Sequence, residues 1–440
     1  MSCVTIRVSP LLFAAGFVLC VAAVGGLYCL SGWRLGAFVA TTAVHALFYL
    51  VAVWWVLQRS ARPSDFWIII FIALALRLIA FPAPAALTID AFRYVWDGRI
   101  QWAGFNPYLW VPADERLAHL RDAAIYPHIH LKEVAVTVYP PFAEMLFALA
   151  NVISDSMTGI KVVMTAFDLL TIYVIWLWLK AESMPVERLL IYAWHPLPLW
   201  ELTGQAHIDA AAIGLLMLTV YFVVRGRQGV AGGFLAAAFC TKYFPIVLVP
   251  ALWRRWDWRM PTFFIVVAVL LYTPYVTEAG IGVLGFTGNL AAREGYTEGH
   301  GFHIIWLLQA FKLPDLPGWL YITLALFILA ALAFIAFFRR QADELRADHM
   351  VMLAASFIWL TSPHYAWYFV WLVPLLCRHL SIPALVMTLL PLSYYIPSFF
   401  FSPITRSGAY LLIFGVPLLS AIAMIWWHWL HHKLNKVAHR

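Results

Sequence analysis

The chain has 440 residues, 63% of them hydrophobic and only 12% charged, with a formal net charge of +7. That balance lies far outside the range of soluble domains and leaves a polytopic membrane protein. The five cysteines (Cys3, Cys20, Cys29, Cys240 and Cys377) have no paired spacing, which argues against a disulfide framework or a thiolate metal site.

Apolar runs long enough to cross a bilayer, about 20 residues each, lie near 11–30, 36–57, 66–83, 158–179, 260–277, 319–338 and 408–430. Shorter or proline-broken runs lie near 189–203, 208–224, 229–241, 244–253, 349–362, 365–377 and 383–400. The first run follows Arg7 but lacks a clear small-residue cleavage site, so it reads as a span rather than a signal peptide. Many of the 22 Trp and 19 Tyr sit near run ends, as an interfacial aromatic belt requires. The expected fold is all-α, one integral-membrane domain of about 12–14 transmembrane helices with interfacial helices in a large outer loop.

A cytoplasmic N-terminus places Arg7, Arg59, Arg62, Lys180, Arg188, Arg225, Arg227, Arg254, Arg255, Arg259, Arg339, Arg340, Arg346, Arg378, Lys433, Lys436 and Arg440 on the inner face. The outer loops then hold few cations, as the positive-inside rule expects. The positive charge is thus mostly topology, and nothing suggests nucleic acid. The run 140–153 is short for a span and carries Glu144, so we read it as a helix along the outer interface. Residues 84–157 then form one large extracytoplasmic segment and 278–303 a second. The terminal histidines His428, His431, His432 and His439 read as surface.

In the segment DAFRYVWDGRIQWAGFNPY, Asp90, Arg93, Tyr94 and Asp97 fall at i, i+3, i+4 and i+7, one face of a helix. Two acids, a guanidinium and a phenol there suit proton transfer and anion binding; an ordinary solvated helix is the bland alternative. Glu201, Gln205, His207 and Asp209 lie at a break between two spans. Polar groups at membrane depth need partners or a cavity, so they are candidates to bind sugar hydroxyls. His207 and Asp209, with no fixed third ligand, are a weak metal signal. Lys242 has two open readings, snorkelling to the interface or gripping a lipid phosphate. His364 and Tyr365 stand at another outer break among Trp367, Tyr368 and Trp371. Arg77 and Asp168 fall inside spans, where a structural pair is favoured.

The chain has no Walker loop or glycine-rich nucleotide fingerprint. An enzyme with outward chemistry and no nucleotide pocket must draw its donor from the membrane, and lipid-phosphate sugars fit. A lipid or glycolipid transporter is the rival reading, but it would spread charged groups over both faces.

Against these residues, the chain resembles the GT-C superfamily of membrane glycosyltransferases, and most closely glycosyltransferase family 87. The motifs carrying the likeness are DAFRYVWDGRIQWAGFNPYLWVP, IYPHIH, VYPPFAE, AWHPLPLWELTGQAHIDA and TKYFPIVLVP. The resemblance implies a polyprenyl-phosphate hexose donor, with mannose the first choice, and Asp90 as catalytic base. It also implies interfacial helices around the YPP turn that includes Tyr139. Two departures stand out: an extra pair of spans precedes Asp90, and His195 replaces the Asn that many relatives carry before Pro. The expected partners are the donor, a lipid or glycan acceptor and membrane lipids, in an inner or plasma membrane. Arg93, Lys242 or His364 would offset charge on the leaving phosphate, and Asp97 would serve as a second candidate base or orient Arg93. No cofactor is expected; a metal stays open through His207, His300 and His303 without being required.

Overall fold

The computed structural model describes residues 9–58, 63–286, 292–339, 345–396 and 402–438. Arg7, Arg59, Arg62, Arg340, His439, Arg440 and Cys3 lie outside the described residues, as do the side chains of His428, His431, His432, Lys433 and Lys436. Every described element is helical.

The longest apolar runs become long helices: α1 (Pro10–Ser31), α2 (Leu35–Gln58) and α3 (Pro63–Ala80). A connector leads to α4 (Asp90–Trp102), then a loop to α5 (Pro141–Ile153) and α6 (Met157–Ala181). Beyond a broken stretch come α7 (Asp209–Val224), α8 (Gln228–Phe239) and α9 (Arg259–Ala279). The rest comprises α10 (His303–Ala310), α11 (Gly318–Phe338), α12 (Ala347–Thr361), α13 (Ile382–Leu389), α14 (Pro403–Tyr410) and α15 (Val416–Ala438).

Among the described residues six helices are long and apolar enough to cross a bilayer, or seven with one bent pair. The higher number expected from the sequence counted apolar runs that fold as shorter helices, at 228–239, 347–361, 366–376 and 382–395. Prolines at 374, 383 and 391 interrupt two of these runs, because proline lacks an N–H and crowds the preceding turn. The large apolar side chains of α9 and α11, among them Ile265, Val269, Leu326 and Phe327, point outward. Such a surface suits lipid rather than water.

Two ends of the bundle differ in chemistry. At one, Arg188 donates to the Cys377 carbonyl (2.6 Å), and Arg378 pairs with Glu182. At the other, the α3–α4 connector, the break before α7 and the turn after α8 converge. Lys161, on the first turns of α6, donates there to the carbonyls of Phe81 (2.7 Å) and Ala83. Midway, Arg77 binds Asp168 (3.0 Å), which also accepts from Tyr192 (2.7 Å) and Thr203 (3.0 Å). This fully buried, fully paired set is the structural role favoured from the sequence.

The bent pair joins Pro196–Gly204 to α7 at 119°. Residues 199–210 are all buried, which is the condition for irregular backbone at membrane depth. Ala206 has φ 60°, a left-handed conformation that a residue with a Cβ adopts only under constraint. His195 begins this stretch as a helix cap: its Nδ1 accepts from the Leu197 N–H (3.1 Å) and its Nε2 meets Thr388 Oγ1 (3.0 Å). His195 thus has a local structural role as a helix cap.

α4 and α5 are 13 residues each, roughly 20 Å long at 1.5 Å per residue, and pack on one another. Gly98 permits their approach, since a Cβ there would sit 2.4 Å from the Phe147 carbonyl oxygen.

Candidate active site

Asp90 opens α4, where a carboxylate is favoured by the unpaired N–H groups of a helix start. Its own N–H donates to Thr88 Oγ1 (3.1 Å). The side chain is half-buried, and its charge is felt by Tyr94, Tyr139, Tyr365, Tyr368 and Tyr395. Burial is the main cause that pushes its carboxyl up to about 6; Asp209 and Glu294 add to this and Lys242 opposes it. Asp90 therefore ionises near neutrality, where a general base is most useful.

Beside it, Lys242 Nζ binds Asp209 Oδ2 at 2.9 Å and lies 4.7 Å from the Tyr368 ring centroid. Asp209 Oδ1 accepts from Trp371 Nε1 at 2.8 Å. Of the two readings of Lys242, plain snorkelling to an interface does not describe this geometry, because its ammonium is turned inward onto a buried carboxylate.

On a third side stands Glu294, from the loop between α9 and α10. Its Oε1 accepts from the Tyr365 hydroxyl (3.0 Å) and its Oε2 lies 3.2 Å from His364 Nδ1. His364 Nε2 meets the Gly301 carbonyl at 2.7 Å, and Tyr296 stacks on the imidazole at 5.5 Å. Burial alone would raise the Glu294 carboxyl, but the bonds from His364 and Tyr365 hold it below the ordinary value.

Glu201 and His207 are both buried, with Oε2 and Nε2 3.3 Å apart and no hydrogen bond to either atom. Tyr395 donates to Glu201 Oε1 (2.9 Å), and His207 stacks on Trp367 at 4.0 Å, which stacks on Tyr365 at 4.5 Å. Gln205 acts differently. Its Oε1 accepts from the Leu87 N–H and its Nε2 donates to the Pro84 carbonyl, both at 3.0 Å, fixing the connector that leads into Asp90.

The single face expected for α4 divides in two. Tyr94 stays by Asp90, stacked on Phe147 at 4.5 Å and hydrogen-bonded to Tyr139. Arg93 and Asp97 turn instead toward α5 and the loop. Arg93 binds Asp97 (2.7 Å) and the Ala135 carbonyl (3.0 Å). Burial raises the carboxyls of both Asp97 and Glu144, the latter also through Asp97. Glu144 further accepts from Thr137 and from Gln101 (3.1 Å), and Tyr275 of α9 donates to Gln101 (2.8 Å). Arg93 and Asp97 thus anchor α4, because the α5 contact and the Ala135 carbonyl draw them away from the Asp90 carboxylate.

The histidines left open as metal ligands have separate surroundings: His207 lies 3.3 Å from Glu201 with both ring nitrogens without a hydrogen bond, His303 meets Ser362 (2.6 Å), and His300 lies 4.0 Å from Glu298. Tyr395 joins the site without having been noted in the sequence, Tyr368 had been noted only as one of the aromatics beside His364, and Glu294 only as part of the segment 278–303. The HYAWYF run carried a usable signal for Tyr368, whereas Tyr395 arrives from a segment 186 residues beyond α7's first residue and has no local motif.

What the bundle and its polar end define is a polytopic helical membrane protein with carboxylates, an ammonium and tyrosines gathered at one end. The model of glycosyltransferase family 87 matches residues 137–363, just over half of the chain, and the chain belongs to this family of glycosyltransferases. The matched region includes Glu201, His207, Asp209, Lys242 and Glu294 and begins after Asp90. No curated protein and no solved structure matches the chain.

Proposed function

We propose that this glycosyltransferase moves a hexose, with mannose the first choice, from a polyprenyl-phosphate donor to a lipid or glycan acceptor by a single inverting displacement. The observation that carries the reading is the placement of Asp90 within electrostatic reach of both Lys242 and Glu294, with its carboxyl near 6. The acceptor hydroxyl loses its proton to Asp90 as its oxygen bonds the anomeric carbon. The bond from that carbon to the phosphate oxygen breaks, and the lipid phosphate leaves with the electron pair. A carboxylate suits this step because the hydroxyl becomes acidic only as the new bond forms. Lys242 offsets charge on the phosphate. No cofactor enters the scheme.

The positive-inside rule supports an extracytoplasmic site, since the connectors rich in Arg and Lys belong to the opposite end from Asp90. An inner or plasma membrane is the matching location. Incubating the purified protein with radiolabelled polyprenyl-phosphate mannose and a membrane lipid extract tests the reading. A labelled lipid or glycan product is expected; hydrolysis alone, or no transfer from any lipid-phosphate hexose, overturns it.

A further inference from the structure

Two carboxylates with different surroundings lie within electrostatic reach of each other, Asp90 from the first outer segment and Glu294 from the second. Glu294 is unusually well held for a loop residue. Tyr365 and His364 each engage one of its oxygens, His364 is itself tied to the Gly301 carbonyl, and Tyr365 rests on the Trp367–His207 stack. Its side chain nevertheless keeps 24% of its surface open. A carboxylate has about four acceptor positions, so two remain unused after these bonds. His130, from the first outer segment, also lies within electrostatic reach.

We infer that Glu294 is a specificity-determining residue that accepts hydrogen bonds from sugar hydroxyls in the reacting complex, leaving proton abstraction to Asp90. The inference rests on the lipid-phosphate-sugar reading above. Pre-oriented carboxylates suit hydroxyl recognition because they accept from paired hydroxyls, and bonds to an ionised acceptor are about twice as strong as neutral ones. The order already present also lowers the cost of binding. A site built to bond a hydroxyl further rejects an analogue lacking it, because the acceptor is then left unpaired. The hydroxyls belong either to the transferred hexose or to a sugar acceptor.

The test is a cycle between protein and substrate. The parent chain and Glu294→Gln are assayed with the hexose donor and a panel of its monodeoxy analogues, then with deoxy versions of a glycan acceptor. At least one deoxy position should cost the parent about tenfold or more in kcat/KM and cost Glu294→Gln little. Such loss of discrimination on the donor panel assigns Glu294 to the transferred sugar; on the acceptor panel, to the acceptor. A loosened loop would lower all rates and leave the deoxy penalties intact, and that result overturns the inference. Glu294→Asp, which keeps the charge, should restore part of the discrimination. If the parent chain turns over no lipid-phosphate hexose, the function proposed above fails, and this inference with it.

Discussion

Asp209 and Lys242 come from the first turn of α7 and the turn after α8, and their 2.9 Å ion pair joins the two helix ends under Asp90. The ammonium has three hydrogens and only one is engaged by Asp209. A phosphate can therefore share the same lysine, with the carboxylate fixing where the nitrogen sits.

Removing the ammonium alone confounds two effects. Lys242→Met leaves Asp209 buried and uncompensated, a loss of roughly 3–5 kcal/mol for such pairs. The double change Lys242→Met with Asp209→Asn should recover most of that stability in thermal unfolding. Donor affinity should stay at least about tenfold weaker in both proteins, the size of one charge-assisted contact. A double variant that binds donor like the parent would make Lys242 a purely structural partner.

Asp90→Asn keeps volume and much of the hydrogen bonding but accepts no proton. Its single-turnover rate should fall about 10²–10⁴-fold with donor binding nearly retained. Asp97→Asn should do less to the rate and more to unfolding temperature, since Asp97 anchors α4 through Arg93. Full activity in Asp90→Asn would remove it as the base.

The pH dependence follows from the same carboxyl. Asp90 is protonated, and so inactive as a base, below about 6. The rate should climb through that value and level off above it, rather than reaching its plateau near the usual value of about 4. Lys242 opposes the upward shift and Glu294 adds to it. The acid limb should therefore move up in Lys242→Met and down in Glu294→Gln, as pH–rate profiles would report.

Arg77→Met provides a contrast far from the site. It strands Asp168, which is wholly buried, and should lower stability by roughly 3–5 kcal/mol without changing the acid limb of the surviving enzyme. Unfolding in detergent and a pH–rate profile measure the two quantities separately.

Much of this was legible in the sequence. Runs of about 20 apolar residues marked α1, α2, α6, α9 and α11 within a few residues, because lipid leaves a helix no alternative for its backbone. Asp90 was noted as a charge following the third such run, and Lys242 as one between two shorter runs. Arg93 was misplaced because helical spacing gives a face and not the neighbour that claims it; the Ala135 carbonyl is 42 residues away. Tyr395 was invisible for a similar reason, its bond to Glu201 spanning 194 residues. Gln205 read as a sugar contact because an amide at a helix break looks alike whether it faces a ligand or clamps a loop.

That clamp separates what is fixed in this protein from what is free to vary. Gln205 ties Pro84 and Leu87 to the membrane-embedded frame, so the position of Asp90 is inherited from the bundle. The stretch between α4 and Tyr139 has no part in that tether, but its Ala135 carbonyl holds α4 through Arg93. Exchange of loop segments that spare the Ala135 carbonyl would leave the position of Asp90 unchanged.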